Sequence, residues 1–491
     1  MQGKLHSILT QPTAIRRDPW LWALLLGIAL FLALPGATAW QGDHAAVIQA
    51  ALDANAAGRP ATAIVPLPVA GRLASPAAIW PYQLLLLLTR NPLALTFLKN
   101  LLLLGALLAS GSHLCRRLEI PTPPMLAAIL LLPYSWLLLR PLDDAALALP
   151  CALLAFAATL GYCADATDHP RRELAVAIAA ALGCASLALQ PATPLATLGL
   201  ALLLAPPPSQ ATRTKRLRLV GAMLLLATAV HLLWLLRFVR GVHPIPLGRS
   251  LLALTAALPR FVSTWKLSLQ PSPVFLQDLS APLRWLWLAG EYLTYALALM
   301  ALAAGVLATL MRRAERQTTP LIQGALLALP ALALHLCLNA ALRQGGLHRD
   351  LITIIPVLFT LLAMGLASLR NYLRIKYNCI FATALACAAV ATGCYAAKLY
   401  VLAGDDRPDC FGSTLAMQWE VTRQLESYAN AQPPPKVFNY ARCFQYAPQQ
   451  LVTLRNLAAE MTLTAPDYLP ESVHIRQRRE GTGLLEVETR F

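Results

Sequence analysis

The sequence predicts an α-helical polytopic membrane protein with a small α+β domain after its last helix. Three observations predict it. Of 491 residues, 57% are hydrophobic and only 13% are charged, whereas a soluble domain carries about 25% charge. Apolar runs of about 20 residues recur along the chain, each long enough to cross a ~30 Å hydrocarbon core. The basic residues gather in short clusters between those runs, at every second gap, as the positive-inside rule expects of cytoplasmic loops. These clusters are Lys4/Arg16/Arg17, Arg116/Arg117, Arg171/Arg172, Arg213/Lys215/Arg216/Arg218, Arg312/Arg313/Arg316 and Arg370/Arg374/Lys376. The distribution assigns the net charge of +16 to membrane orientation and excludes nucleic acid as a partner.

Alternating the basic gaps gives about eleven transmembrane helices. They run near 20–39, 93–114, 122–139, 144–163, 174–190, 192–206, 219–239, 286–310, 321–342, 351–369 and 379–402. Residues 1–19 then form a cytoplasmic segment, 20–403 the transmembrane domain, and 404–491 a periplasmic domain of a bacterial inner-membrane protein. Trp20 and Trp40 bracket the first run as interfacial anchors do. Ala37-Thr38-Ala39 also fits a signal-peptidase site, but a signal h-region spans about 7–15 residues. This run is longer, so the reading is an uncleaved first helix. Around Gln190–Pro194 two short spans meet at a tight turn. A re-entrant pair there would leave the later orientations unchanged.

Four segments face the periplasm in this topology: residues 40–92, Arg140–Asp144, 240–285 and Arg343–Asp350. No internal repeat rises above the leucine and alanine bias, which weighs against a transporter.

The tail changes character. LAMQWEVTRQLESYANA (415–431) has a helical apolar period that Pro433–Pro435 breaks, VFNY (437–440) is strand-like, and APQQLVTLRNLAAE (447–460) is helical again. VHIRQRR and LLEVETRF alternate around Glu480-Gly-Thr-Gly483, a hairpin signal. Eight of the ten cysteines lie in or beside apolar runs and read as small packing residues. Cys410 and Cys443 lie in the tail, and in an oxidising compartment they are expected to pair as a disulfide. No CxxC or His-rich metal spacing occurs.

The candidates for chemistry are few. Asp43 and His44 follow Trp40 at the outer interface. Asp43 reads either as the N-cap of AAVIQAALDANA or as a carboxylate placed for chemistry. Asp143 and Asp144, beside Arg140, start a later helix. They are caps, or else acids that must be used or paired at a lipid boundary. Arg59, Arg72, Arg343, His348 and Arg349 lie on the same side, and singly each reads as a surface charge. Gly345-Gly346 before His348 lets a backbone approach a ligand closely, and arginine can grip phosphate with two parallel hydrogen bonds. Lys99 and Glu291 fall inside spans near their outer ends, where ionisable groups are functional candidates. Snorkelling is the plainer account of Lys99. His231, His335 and Lys398 read as packing or interfacial residues.

These stretches resemble the C-type (GT-C) glycosyltransferases that use polyprenyl-phosphate sugars. The likeness lies in a helix ending at Trp40 with Asp43 just beyond, an amphipathic stretch reaching GRLASPAAIWPY (71–82), RPLDDAALALP at a later outer helix end, and HRDLITIIPVLFTLLAMGLASL (348–369). It spans roughly residues 15–370. In that superfamily the first outer loop carries an acid pair and short helices lying along the membrane. Here His44 replaces the second acid, and the Lys-Pro-Pro-like element is only Arg72-Leu-Ala-Ser-Pro76.

The resemblance implies a GT-C-like fold and transfer of a sugar, with inversion, from a polyprenyl-phosphate donor to an envelope glycan, lipid or protein on the periplasmic face. It makes Asp43 the base and has Asp143 or Asp144 orient acceptor or sugar. His44, Arg59, Arg72, Lys99, Glu291, His348 and Arg349 are the substrate- and phosphate-binding candidates. Elementary chemistry agrees: the departing lipid phosphate needs a cation nearby, and the acceptor hydroxyl needs a carboxylate within reach. No metal ligands or cofactor are assigned, although the scheme leaves room for a divalent cation. The competing readings are a transporter or flippase of a lipid-linked saccharide, and a catalytically silent scaffold.

Overall fold

The computed structural model describes residues 19–33, 42–62, 65–66, 73–131, 144–163, 170–187, 281–314, 319–341, 355–373, 437–439, 472–477 and 485–490, with isolated positions between 199 and 225 and at 383. The described residues are mostly helical. The helices are α1 (Pro19–Ala33), α2 (Gly42–Ala56), α3 (Pro76–Leu88), α4 (Pro92–Leu118), α5 (Thr122–Leu131), α6 (Asp144–Cys163), α7 (Pro170–Leu187), α8 (Ala281–Ala314), α9 (Pro320–Ala341) and α10 (Ile355–Leu373). Among them α4 is long and apolar enough to cross a membrane over Leu93–Leu118, and seven others are shorter apolar helices. Apart from those isolated positions, the expected spans 192–206, 219–239 and 379–402 lie outside the described residues, as does the loop at 240–285 apart from its end.

Local chemistry sets several boundaries. Asn91 caps α4, its Oδ1 accepting from the amides of Leu93 (2.9 Å) and Ala94 (3.4 Å). Pro92 follows where a missing N–H costs nothing. At the other end Glu119 takes a left-handed conformation (φ 57°), and the Ile120 amide reaches back to the Cys115 carbonyl at 3.0 Å. The end of α2 uses the same device with a glycine. Gly58 has φ 62°, and the amides of Gly58 and Arg59 bond to Asn55 (3.0 Å) and Ala54 (3.1 Å). That is a Schellman motif.

The core is built around α6, which packs against α4, α7 and α10. Between Leu147 and Tyr162 none of its residues is exposed, as expected of a helix apolar on every face. At its far end the Arg117 guanidinium of α4 pairs with the Glu173 carboxylate in the first turn of α7. A Cβ on Gly161 of α6 would meet both side chains at 2.8–3.0 Å. So α4 and α6 end together where α7 begins. The starts of α4 and α6 and the end of α7 therefore share the opposite end of the bundle.

On the other flank α8 crosses α10 at two glycines. A Cβ on Gly305 would collide with the Leu361 carbonyl, and one on Gly365 with the Ala301 carbonyl. Small residues bring these backbones into contact, the geometry of Cα–H···O packing between helices. The α8–α10 pair is extended by α9, which reaches α4.

In the tail, β3 (Val437–Asn439) runs parallel to β4 (Ser472–Gln477), and β4 pairs antiparallel with β5 (Leu485–Arg490) in register Ile475↔Val487. The hairpin expected from the alternation around Glu480–Gly483 is present. The helical readings at 415–431 and 447–460, Cys410 and Cys443 lie outside the described residues.

Candidate functional site

A separate layer sits at the bundle end where α4 and α6 begin. Its sequence explains it. In α2, Val47, Ile48, Ala51 and Ala54 recur at helical spacing, as do Ala78, Ile79, Tyr82, Leu85 and Leu86 in α3. The two stripes face each other, and with Ala61, Ala74 and Leu95 of α4 they form a small second core. Burying each large side chain such as Ile48 or Ile79 contributes roughly 1.5–3 kcal/mol. A short antiparallel pair, β1 (Val65–Pro66) with β2 (Leu73–Ala74), closes the link between the helices. The Ser75 hydroxyl accepts from the Ala78 amide at 3.0 Å to start α3.

One buried amide organises the layer. Gln83 Oε1 accepts from the Ala61 amide at 3.0 Å, and its Nε2 donates to the Arg59 carbonyl at 3.2 Å. Trp80 Nε1 donates to the Ala61 carbonyl at 2.9 Å. The loop after Gly58 is thus tied at both the amide and the carbonyl of Ala61. Gln83 is not among the candidates that sequence reasoning finds. Its signal is a polar residue set in the run PAAIWPYQLLLLL, where an amide survives burial only with its bonds made.

Beneath the layer, α4 turns a polar face inward. Thr96, Lys99 and Asn100 lie at helical spacing and are 0%, 2% and 5% exposed. The snorkelling account of Lys99 is therefore overturned, because its head group does not reach solvent. A cation kept in so apolar a place must be engaged by partners, and Lys99 is. Asn100 Oδ1 is also buried, and among the described residues it meets no hydrogen-bond donor. Sequence reasoning misses Thr96 and Asn100, although both are within four residues of Lys99.

The other candidates fall around this face unevenly. Asp43 and His44 are the second and third residues of α2, so Asp43 lies inside the first turn and not ahead of it as a cap. There an acid favours the positive end of the helix dipole. Asp144 is the first residue of α6. Leu147, one turn on, packs against both the main core and the layer. That places the start of α6 beside the layer and Lys99's end of α4. Arg59 is exposed just past the end of α2. Glu291 is in α8, which packs on α9 and α10. Asp143, Arg72, Arg343, His348 and Arg349 lie outside the described residues. Among the described residues no three His, Cys, Asp or Glu side chains gather as metal ligands would.

The arrangement sets a buried cation and an open acceptor on Asn100 under the layer of α2 and α3, with two acid-bearing helix starts at the same end. Comparison of the sequence with family models and with curated proteins finds no match.

Proposed function

We propose that the chain is a multi-pass membrane glycosyltransferase. It takes a sugar from a polyprenyl-phosphate donor and passes it to an envelope acceptor at the periplasmic face. The observation that carries this reading is the burial of Lys99 at the bundle end where the Asp43- and Asp144-bearing helices begin. A cation in a low-dielectric site can hold the phosphate that leaves when the glycosidic bond breaks. Asp43 takes the proton of the acceptor hydroxyl as its oxygen attacks the anomeric carbon. Asn100 Oδ1 can accept from a sugar hydroxyl, and Asp144 is placed to orient the acceptor.

Support for the membrane setting comes from composition and from the apolar side chains left in the open. Leu84, Leu87, Leu88 and Leu102 are each 62–76% exposed, and leucines this far in the open, three of them at helical spacing on α3, suit an apolar phase. Arg59, exposed just past the end of α2, is in this reading a second cation for the lipid phosphate.

The test is direct. The full chain in membranes is supplied with radiolabelled polyprenyl-phosphate hexose or pentose and an envelope fraction. Release of polyprenyl phosphate with label in the acceptor supports the reading. Movement of the intact donor across the bilayer without cleavage would replace it with a flippase.

A further inference from the structure

A groove at the other end of the bundle has a different character. Trp20 of α1, Ile120, Pro121 and Pro124 around the start of α5, and Phe359 to Ala367 of α10 enclose a cavity of about 140 Å³. All its lining side chains are apolar. A half-open groove with apolar walls suits a stretch of hydrocarbon chain and no polar ligand. Along α10 the lining spans nine residues from Phe359 to Ala367, a rise of about 12 Å. That approaches the ~15 Å depth of one bilayer leaflet.

Charge marks one end of the groove. Trp20 and Ile120 lie at the end of the bundle where α4 finishes in Arg116 and Arg117. Arg117 is held by Glu173, whereas Arg116 is exposed, with its Nε donating to the Ser112 carbonyl at 3.4 Å. Glu119, also exposed, is the opposing charge there. In sequence, Arg16 and Arg17 stand just ahead of Pro19. The first turn of α5, with Pro124 and Met125 on the groove wall, adds the positive end of a helix dipole.

We propose that this groove holds one acyl chain of an anionic phospholipid from the cytoplasmic leaflet, with the phosphate beside Arg116 and the start of α5. The inference rests on the membrane setting proposed above and not on sugar transfer.

Native mass spectrometry of the full chain, delipidated and then titrated with phosphatidylglycerol or phosphatidylcholine of the same chains, tests it. Expected is one phosphatidylglycerol held at least tenfold more tightly than phosphatidylcholine. Ala363→Phe, which fills the groove, should weaken that binding tenfold or more. Arg116→Gln should abolish the preference between the two lipids. Ala367→Phe, nearer the exposed rim, serves the same purpose if Ala363→Phe does not accumulate. Equal binding of the two lipids, or unchanged binding in a folded groove-filling variant, overturns the proposal. Alkaline carbonate extraction of membranes separates the two failures: a chain released by carbonate defeats the membrane setting, and one retained confines the failure to the groove.

Discussion

Gln83 and Asn55 hold each other by two opposed bonds. Asn55 Nδ2 donates to the Gln83 carbonyl at 3.0 Å, and Gln83 Nε2 donates to Asn55 Oδ1 at 3.3 Å. With its bonds to Ala61 and Arg59, this one side chain joins the end of α2, the following loop and α3. Gln83→Leu keeps the volume and removes every side-chain bond. Each buried group left unmet costs about 1–3 kcal/mol. Hydrogen exchange of the Ala61 amide, which Gln83 Oε1 accepts from in the wild type, should then accelerate at least tenfold in the full chain. Exchange at the wild-type rate would show that the layer does not depend on Gln83.

The crossing of α8 and α10 predicts a different failure. Gly365 faces the Ala301 carbonyl with no room for a side chain. Gly365→Leu must force the backbones apart, a loss of about 1–3 kcal/mol from overpacking. Gly105, with nothing within 4 Å of its would-be Cβ, is the control. Gly105→Ala should be neutral or stabilising, since a helical glycine is about 1 kcal/mol worse than alanine. Thermal melts of the two variants in the same detergent should shift in opposite directions, or only the first should shift.

Asp43 and Lys99 carry the proposed chemistry, and at Asp43 activity should separate from stability. Asparagine suits a helix start about as well as aspartate, so the Asp43→Asn protein should accumulate. Sugar transfer should fall by about 10²–10⁴-fold, the usual worth of a general base. Lys99→Met preserves the buried stem and removes the charge. Transfer should drop by about 10²-fold or more, as on removing one charge-stabilising donor. Full transfer by Asp43→Asn would leave its carboxylate as a helix-end charge and nothing else.

Orientation is checked without any substrate. Reporters fused after Arg313 and after Phe491 should be active in the cytoplasm and the periplasm respectively, from the alternation of basic gaps. Alkylation with and without reductant should find Cys410 and Cys443 protected until reduced. Two free thiols on periplasm-exposed protein would reject the pairing.

Much of the helical layout can be read from sequence because apolar periodicity is a local signal. The run at 144–163 and α6 coincide, and 321–342 differs from α9 by one residue at each end. The C-terminal hairpin is legible for the same reason. The site is less so. Lys99 stands out as a charge in an apolar run, yet whether it snorkels or is buried depends on which neighbours cover α4, and periodicity within α4 does not contain that. Gln83, Thr96 and Asn100 escape notice because polar uncharged residues carry little weight until their partners across 22 to 28 residues are known, as with Ala61 and Asn55. The cap reading of Asp43 departs from its place in the first turn because both positions favour an acid, one through capping and the other through the helix dipole.

Leu147 belongs to two cores at once, the layer of α2 and α3 and the main bundle. Well-packed interiors transmit displacement instead of absorbing it. A ligand that lifts or presses the layer would therefore push first on the opening turns of α6. Because α6 is enclosed by α4, α7 and α10, it has little freedom to tilt independently. The mechanical consequence is that a push on the layer reaches the bundle through several seats at once, Leu147 of α6 and Leu95 of α4 among them.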